Sequence, residues 1–301
     1  VEKDPTYEKI EMLYGEGVLS KEAYELEKKW VPVIRAMEEA GIKIDKKHFA
    51  ALSGDITKEL LDAEKAVYKI AGKTFNVNSP QQLSEILFGP PPAGLLLPTK
   101  GLKKTPGGVV STAAPELEKL QGKHPIIKEL LRHRELAKLN STYISPLPGL
   151  TDKNDRIHTE FNQLGAATGR MSSSNPNMQN IPVRGEWGVK IRKGFIAEKG
   201  FQFVAFDYSQ MELRLAAHIA DDRKMKEYFS LGEDIHKMTA AEVFGIPAEE
   251  VTKDMRFRAK ALNFGVLYGM GAAGFAMSAN ISRDEAQSFI DNYFARFPEI
   301  R

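Results

Sequence analysis

The chain has 301 residues, 42% of them hydrophobic, no cysteine, and a formal net charge of +2 from 42 Lys and Arg against 40 Asp and Glu. That length exceeds one ordinary core and predicts two or more subdomains, while the lack of cysteine excludes disulfides and thiolate metal sites and fits a reducing cytoplasm. No apolar run approaches the roughly 18 residues of a membrane span, and the charged start Val1-Glu-Lys-Asp-Pro-Thr-Tyr has no signal-peptide core, so a soluble cytoplasmic protein without a membrane partner is expected.

In chain order, helices are predicted over Lys21 to Ala40 and Lys46 to Ile70, broken by Gly41-Ile-Lys-Ile-Asp45. Ser79 as cap and Pro80 at the first helical position start a helix that runs to Phe88 and ends before Pro90-Pro-Pro92. From Thr99 to Thr142, nine Lys or Arg stand against four Glu, a density suited to phosphate tracking and equally to a well-solvated loop. Within it, Gly101-Leu-Lys103-Lys104-Thr-Pro-Gly107-Gly108 has the breakers of a mobile tip. A helix over His124 to Leu139 brings Arg134 and Lys138 to one face at i, i+4, and Asn140, Ser141 and Thr142 add short polar side chains for phosphate oxygens.

Arg156 to Gln163 and Trp187 to Glu198 alternate enough to predict strands flanking a polar loop, Thr168 to Pro182. A mostly apolar strand, Phe201-Gln-Phe-Val-Ala-Phe206, is expected to end in the carboxylate of Asp207, followed by a helix over Gln210 to Ala220. From Lys224 onward the chain is expected to be helical, with turns at Gly232, Gly245-Ile-Pro247 and Gly269 to Gly274.

The most informative stretch lies there. Arg256, Lys260, Phe264 and Tyr268 fall at i, i+4, i+8 and i+12, one slowly drifting stripe of a helix. Two cations and then two aromatic rings over about 18 Å match a nucleoside triphosphate laid lengthwise, phosphates at one end and base at the other. The same spacing fits a solvated face beside a core stripe. The Asp207 segment tips the balance by supplying a metal-binding carboxylate.

Asp207-Tyr-Ser-Gln-Met-Glu-Leu-Arg214 resembles motif A of the family A DNA polymerases, the bacterial DNA polymerase I type, and Arg256 through Gly269, of the form RxxxKxxxFGxxYG, resembles motif B. Ala167-Thr-Gly-Arg170 with Ser172 through Pro182 is a third similar block, and Asp234-Ile-His236 a fourth. The resemblance extends weakly through residues 20 to 150. It implies an α+β fold, a mostly helical right-hand polymerase with an antiparallel palm sheet. Residues 1–20 would be a lead-in and 21–45 a palm-entry helix. Residues 46–150 would form a helical thumb with its basic tip at 99–108, 151–223 part of the palm with motif A, and 224–301 the fingers with motif B.

The implied chemistry is nucleotidyl transfer to a primer 3′-hydroxyl, assisted by two Mg²⁺ ions or by Mn²⁺ in their place. Asp207 and the backbone carbonyl of Tyr208 would hold metal. Lys260 and Arg256 would neutralise the triphosphate, Lys260 doubling as proton donor to pyrophosphate. Gln210 would join the nucleotide site, and His236 would add a phosphate hydrogen bond, although a buried structural histidine fits the same residue. Glu212 would close the space of a ribose 2′-hydroxyl, or be an ordinary helix-surface Glu. Tyr208 and Phe264 would wall the sugar, and Phe264 and Tyr268 would face the base. Arg170, Gln179 and Asn180 would touch the minor groove of primer-template DNA, and Lys103, Lys104, Arg134, Lys138, Asn140, Ser141 and Thr142 its backbone. The resemblance points to DNA replication or repair in a bacterial nucleoid or phage-infected cell, with an organelle left open.

One departure stands out. Motif C, a His-Asp-Glu hairpin that gives the family its second metal carboxylate, has no counterpart, since no His-Asp pair occurs in the chain. A partial polymerase is therefore expected, completed by further palm residues or by a second polypeptide carrying motif C, with a non-catalytic DNA- and nucleotide-binding fragment as the alternative. A single-subunit RNA polymerase also has Arg, Lys and Tyr-Gly in motif B, but Glu212 and Phe264 argue for deoxynucleotides.

Overall fold

The computed structural model describes residues 4–166, 168–183, 185–279 and 281–301; Ala167, the first residue of the third motif block, lies outside them. The chain forms two compact units, Val1–Phe203 and Val204–Arg301.

The first unit opens with α1 (Pro5–Gly15) and α2 (Lys21–Ala40), each started by a side-chain cap, Asp4 and Ser20. Gly41 stops α2 with φ 56°, and a Cβ there would lie 2.6 Å from the Ile157 carbonyl oxygen. The close approach lets β1 (Ile42–Lys43) pair antiparallel with β2 (Arg156–Ile157), Ile42 opposite Ile157. Asp45 then caps α3 (Lys46–Ala71), its carboxylate accepting from His48 N–H at 3.0 Å. Ser79 and Pro80 start α4 (Pro80–Phe88) as their spacing predicts. After the short α5 (Ala114–Glu118), His124 caps α6 (Pro125–Leu139), which packs along α3.

The α3–α6 pair is clamped at both ends. At one end Val67, Leu83, Leu87, Leu117, Ile126 and Leu130 share a core, and at the other Phe49, Leu52, Ile56, Leu136 and Leu139 do so. Each such side chain contributes about 1.5–3 kcal/mol when fully buried. A single wider π-type turn, Asn140–Ile144, follows α6, closed by Ser145 N–H on the Asn140 carbonyl. It turns Tyr143 inward, where its hydroxyl donates to the Asn180 carbonyl.

Three expected strands are corrected by the structure. Arg156 to Gln163 is two short strands, β2 and β3 (Glu160–Asn162); β3 pairs antiparallel with β4 (Ser172–Ser174), Phe161 opposite Ser173. Trp187 to Glu198 is not a strand but begins as α7 (Gly185–Lys193), with Trp187 and Ile191 packed into the α3–α6 core and Glu186 paired to Lys190 at i, i+4. Phe201 to Asp207 likewise forms no described ladder. A strand needs backbone partners on a neighbouring chain segment, and none of the described strands pairs with it.

The second unit is helical: α8 (Met211–Ile219), α9 (Arg223–Ser230), α10 (Ile235–Phe244), α11 (Lys253–Leu267), α12 (Ala272–Ala279) and α13 (Arg283–Arg296). Its core gathers Leu213, Met225, Ile235, Leu262, Phe275, Tyr293 and Phe297. Among the described residues no helix is long and apolar enough to cross a membrane.

Candidate functional site

Thr252 starts α11 by accepting from Met255 N–H at 3.2 Å, and the predicted stripe follows. Arg256, Lys260 and Phe264 line one cleft of about 640 Å³. Ala259, Leu262 and Asn263, off the stripe, are buried and hold the helix in the core. The helix stops at Gly269 (φ 70°), where Gly269 N–H bonds to the Val266 carbonyl at 3.0 Å and Met270 N–H to the Gly265 carbonyl at 2.8 Å. This left-handed closure explains the Tyr-Gly that ends the motif. Tyr268 sits at the cap with its ring exposed and is not among the residues lining the cleft.

Across the cleft stand Asp207 and Tyr208, then Ser209, Gln210, Met211 and Glu212 at the start of α8. Gln210 adopts φ 50°, ψ 40°, a left-handed turn uncommon for a residue with a Cβ. That turn swings the chain from the Asp207 segment into the helix, so Asp207 and Glu212 share one cleft.

His236 of α10 completes the lining, and Asp234, two residues before it, holds Arg256. Asp234 caps α10 through Oδ1, which accepts from His236 N–H at 3.0 Å and Lys237 N–H at 3.2 Å, and its Oδ2 accepts from Arg256 Nε at 2.6 Å. Burial raises the Asp234 pKa, but the Arg256 hydrogen bond and the capped backbone lower it further, and the net direction is down. His236 is 3% exposed. Burial, assisted by the Arg256 and Lys260 charges and opposed by Asp234, lowers its pKa to about 4. It is a neutral imidazole at physiological pH, its ring 5.7 Å from that of Phe264.

Eight residues expected at a nucleotide site on sequence grounds (Asp207, Tyr208, Gln210, Glu212, His236, Arg256, Lys260 and Phe264) thus line one cleft. Sequence reasoning does not single out Ser209, Met211 or Asn263, nor the pairing of Asp234 with Arg256. The cleft suits hard cations only in part: the Asp207 carboxylate and neighbouring carbonyls are oxygen donors, but no group of three or more His, Asp or Glu able to hold a metal occurs among the described residues.

The other candidates stand on the first unit. Lys103 and Lys104 are exposed, Lys104 bridging Val110 antiparallel, and Glu116 accepts from Lys103 N–H at 3.0 Å. Arg134 is half-buried, its guanidinium donating to the Thr112 carbonyl, and burial lowers its pKa. With Lys128, Arg132 and Lys138 it lines a groove of about 980 Å³. Asn140 accepts from the Ser145 hydroxyl at 2.9 Å, and Ser141 donates back to the Lys138 carbonyl at 3.4 Å. Thr142 is exposed. Gln179 and Asn180 lie exposed on a turn whose N–H groups Asn177 accepts, and Arg170 stands on the loop before β4.

The model of DNA polymerase family A matches residues 46–301. The chain belongs to that family. Thermostable DNA polymerase I of Thermus caldophilus is 45% identical over 293 residues, 97% of this chain and 34% of the relative. DNA polymerase I of Chloroflexus aurantiacus is 45% identical over 290 residues, covering 96% and 31%. This family A chain therefore spans about a third of the length of these curated relatives. Among solved structures, the polymerase domain of Pol1 from M. smegmatis, in complex with DNA primer-template and dNTP, superposes with a TM-score of 0.78 at 39% identity, over 89% of this chain and 46% of that one. The mostly helical α+β architecture with small antiparallel sheets is thus that of a family A polymerase domain.

Proposed function

We propose that this chain carries the nucleotide site of a DNA-templated DNA polymerase. The observation that carries the reading is the single cleft in which Arg256, Lys260 and Phe264 of α11 face Asp207, Tyr208 and Glu212. Arg256 and Lys260 neutralise the triphosphate, and Lys260 donates a proton as pyrophosphate leaves. Tyr208 and Phe264 wall the deoxyribose, with Gln210 beside them, and Glu212 fills the space of a 2′-hydroxyl. Tyr268 serves the base end. Family A polymerases are Mg²⁺ enzymes, and Mg²⁺ usually takes one or two carboxylates and completes its shell with water and substrate phosphates. Asp207 and the Tyr208 carbonyl fit that role in donor chemistry. They would hold the ion, which would supply polarisation of the reacting phosphoryl group and activation of the attacking hydroxyl.

On the first unit, Lys103, Lys104, Lys138 and Thr142 contact duplex backbone, with Arg134, Asn140 and Ser141 shaping that surface, while Arg170, Gln179 and Asn180 meet the minor groove near the primer end. The bound DNA and dNTP of the mycobacterial neighbour support both assignments.

The test has two arms. Binding of a dNTP to the 301-residue chain, competed by pyrophosphate and lost in Lys260→Ala, supports the nucleotide site, and no binding at millimolar dNTP overturns it. Templated, Mg²⁺-dependent extension of a primer assigns polymerase activity to the chain itself. Nucleotide and duplex binding without extension assigns instead a binding role that needs further palm residues for chemistry.

A further inference from the structure

His236 lines the cleft, and its Nδ1 is engaged by the protein interior. Nδ1 lies 3.1 Å from Asn263 Nδ2, and the same amide nitrogen lies 3.0 Å from Thr239 Oγ1. Asn263 and Thr239 are fully buried, and the Thr239 hydroxyl is 3.3 Å from Asn263 Oδ1. An amide nitrogen is donor only and carries two N–H groups. Placed between a hydroxyl oxygen and a ring nitrogen, it donates one N–H to each. Nδ1 is then an acceptor, and in a neutral imidazole the proton must sit on Nε2.

We infer that Asn263 is a positioning residue: it locks His236 as the Nε2–H tautomer and turns that single donor toward the cleft that His236 lines, where it meets an anionic phosphate oxygen. The inference deepens the nucleotide reading and rests on it for the identity of the ligand, though not for the tautomer.

Physically, the alternative arrangement is costly. With Nδ1 protonated, Nε2 would be a bare lone pair facing the oxygens of a triphosphate, an acceptor set against acceptors. A protonated ring would donate from both nitrogens, but burial beside Arg256 and Lys260 disfavours that state, with Asp234 opposing. A buried amide with both N–H groups committed is thus the device by which a neutral histidine presents a donor of fixed direction.

Nitrogen-15 NMR of histidine-labelled chain tests this directly. The wild type should show His236 Nδ1 unprotonated and Nε2 protonated at pH 7, and Asn263→Asp, which replaces the donor by an acceptor, should place a proton on Nδ1. A wild-type Nδ1–H overturns the inference whatever binds in the cleft.

The second arm is a double-mutant cycle read with dTTP and with inorganic tripolyphosphate. Asn263→Leu should weaken both by roughly tenfold, the worth of a hydrogen bond to a charged group, and should cost nothing further in a His236→Ala background. Equal losses in both backgrounds would make Asn263 merely structural and overturn the positioning role. If wild type shows the expected tautomer yet binds neither probe, the nucleotide reading fails while the tautomer lock stands. Should Asn263→Leu not fold, the wild-type and Asn263→Asp spectra still decide.

Discussion

Asp234 joins the first turns of two helices through one carboxylate: Oδ2 takes Arg256 Nε of α11 at 2.6 Å, and Oδ1 takes the first N–H groups of α10. The charge that would meet the triphosphate is therefore aimed by the residue that starts the helix bearing His236.

Removing that carboxylate should cost stability as well as ligand affinity. Asp234→Ala loses a cap worth about 1 kcal/mol and releases Arg256, whereas Asp234→Asn keeps the cap and loses only the ion pair. Because the folded-state pKa of Asp234 is depressed, its stabilisation is fully present above about pH 4 and is lost as pH falls through the lower folded value. Urea unfolding followed by circular dichroism should order wild type above Asn above Ala at pH 7. Equal stability of Asn and Ala would remove the capping argument.

His236 titrates with the same sign through a different cause. Burial lowers its folded pKa from 6.5 to about 4, so the unfolded chain takes up a proton first as pH falls. Stability is undiminished above pH 6.5 and declines toward pH 4, by at most about 3 kcal/mol at 1.36 kcal/mol per pH unit. The slope difference between wild type and His236→Asn isolates this contribution, and an NMR titration midpoint near 6.5 would show that the ring is solvated after all.

Lys260→Ala should slow primer extension in a catalytically complete context far more than it weakens duplex binding, by about 3 kcal/mol or roughly a hundredfold for a donor preorganised at developing charge. Lys103→Ala with Lys104→Ala should do the reverse, weakening duplex binding and reducing the slope of log affinity against log salt by about 0.9 for each phosphate that is no longer neutralised. Proportionate losses of rate and binding in both variants would undo the division between a nucleotide-facing helix and a DNA-facing tip.

Glu212→Ala should admit ribonucleotides markedly better while largely sparing deoxynucleotide use, since removing a steric wall relaxes choice without creating a new attraction. The comparison is the ratio of kcat/KM for a dNTP and the matching NTP. An unchanged ratio would leave Glu212 as a helix residue that happens to line the cleft.

What the sequence makes legible is local. Ser79 announces its helix because a cap acts within three residues, and Arg256, Lys260 and Phe264 announce their shared face because helical spacing alone aligns them. Where alternation suggests a strand, packing decides otherwise. Trp187, Val189 and Ile191 would share a strand face, yet Trp187 and Ile191 are buried at 8% and 0% while Val189 is 50% exposed, the signature of a helix. Asn263 gives no signal because its meeting with His236 spans 27 residues and exists only when α10 packs on α11.

The segment from Phe201 to Tyr208 has a consequence for handling the protein in solution. Phe201 is 76% exposed, Phe206 94% and Tyr208 79%, on a stretch with no described β-partner. Apolar, exposed and without a described strand partner, it is the kind of strip on which chains self-associate. Prepared alone, the 301-residue chain will be limited by its colloidal behaviour before its folding stability: light scattering should rise with concentration well below the unfolding temperature, and a Phe206→Ser substitution should suppress that rise.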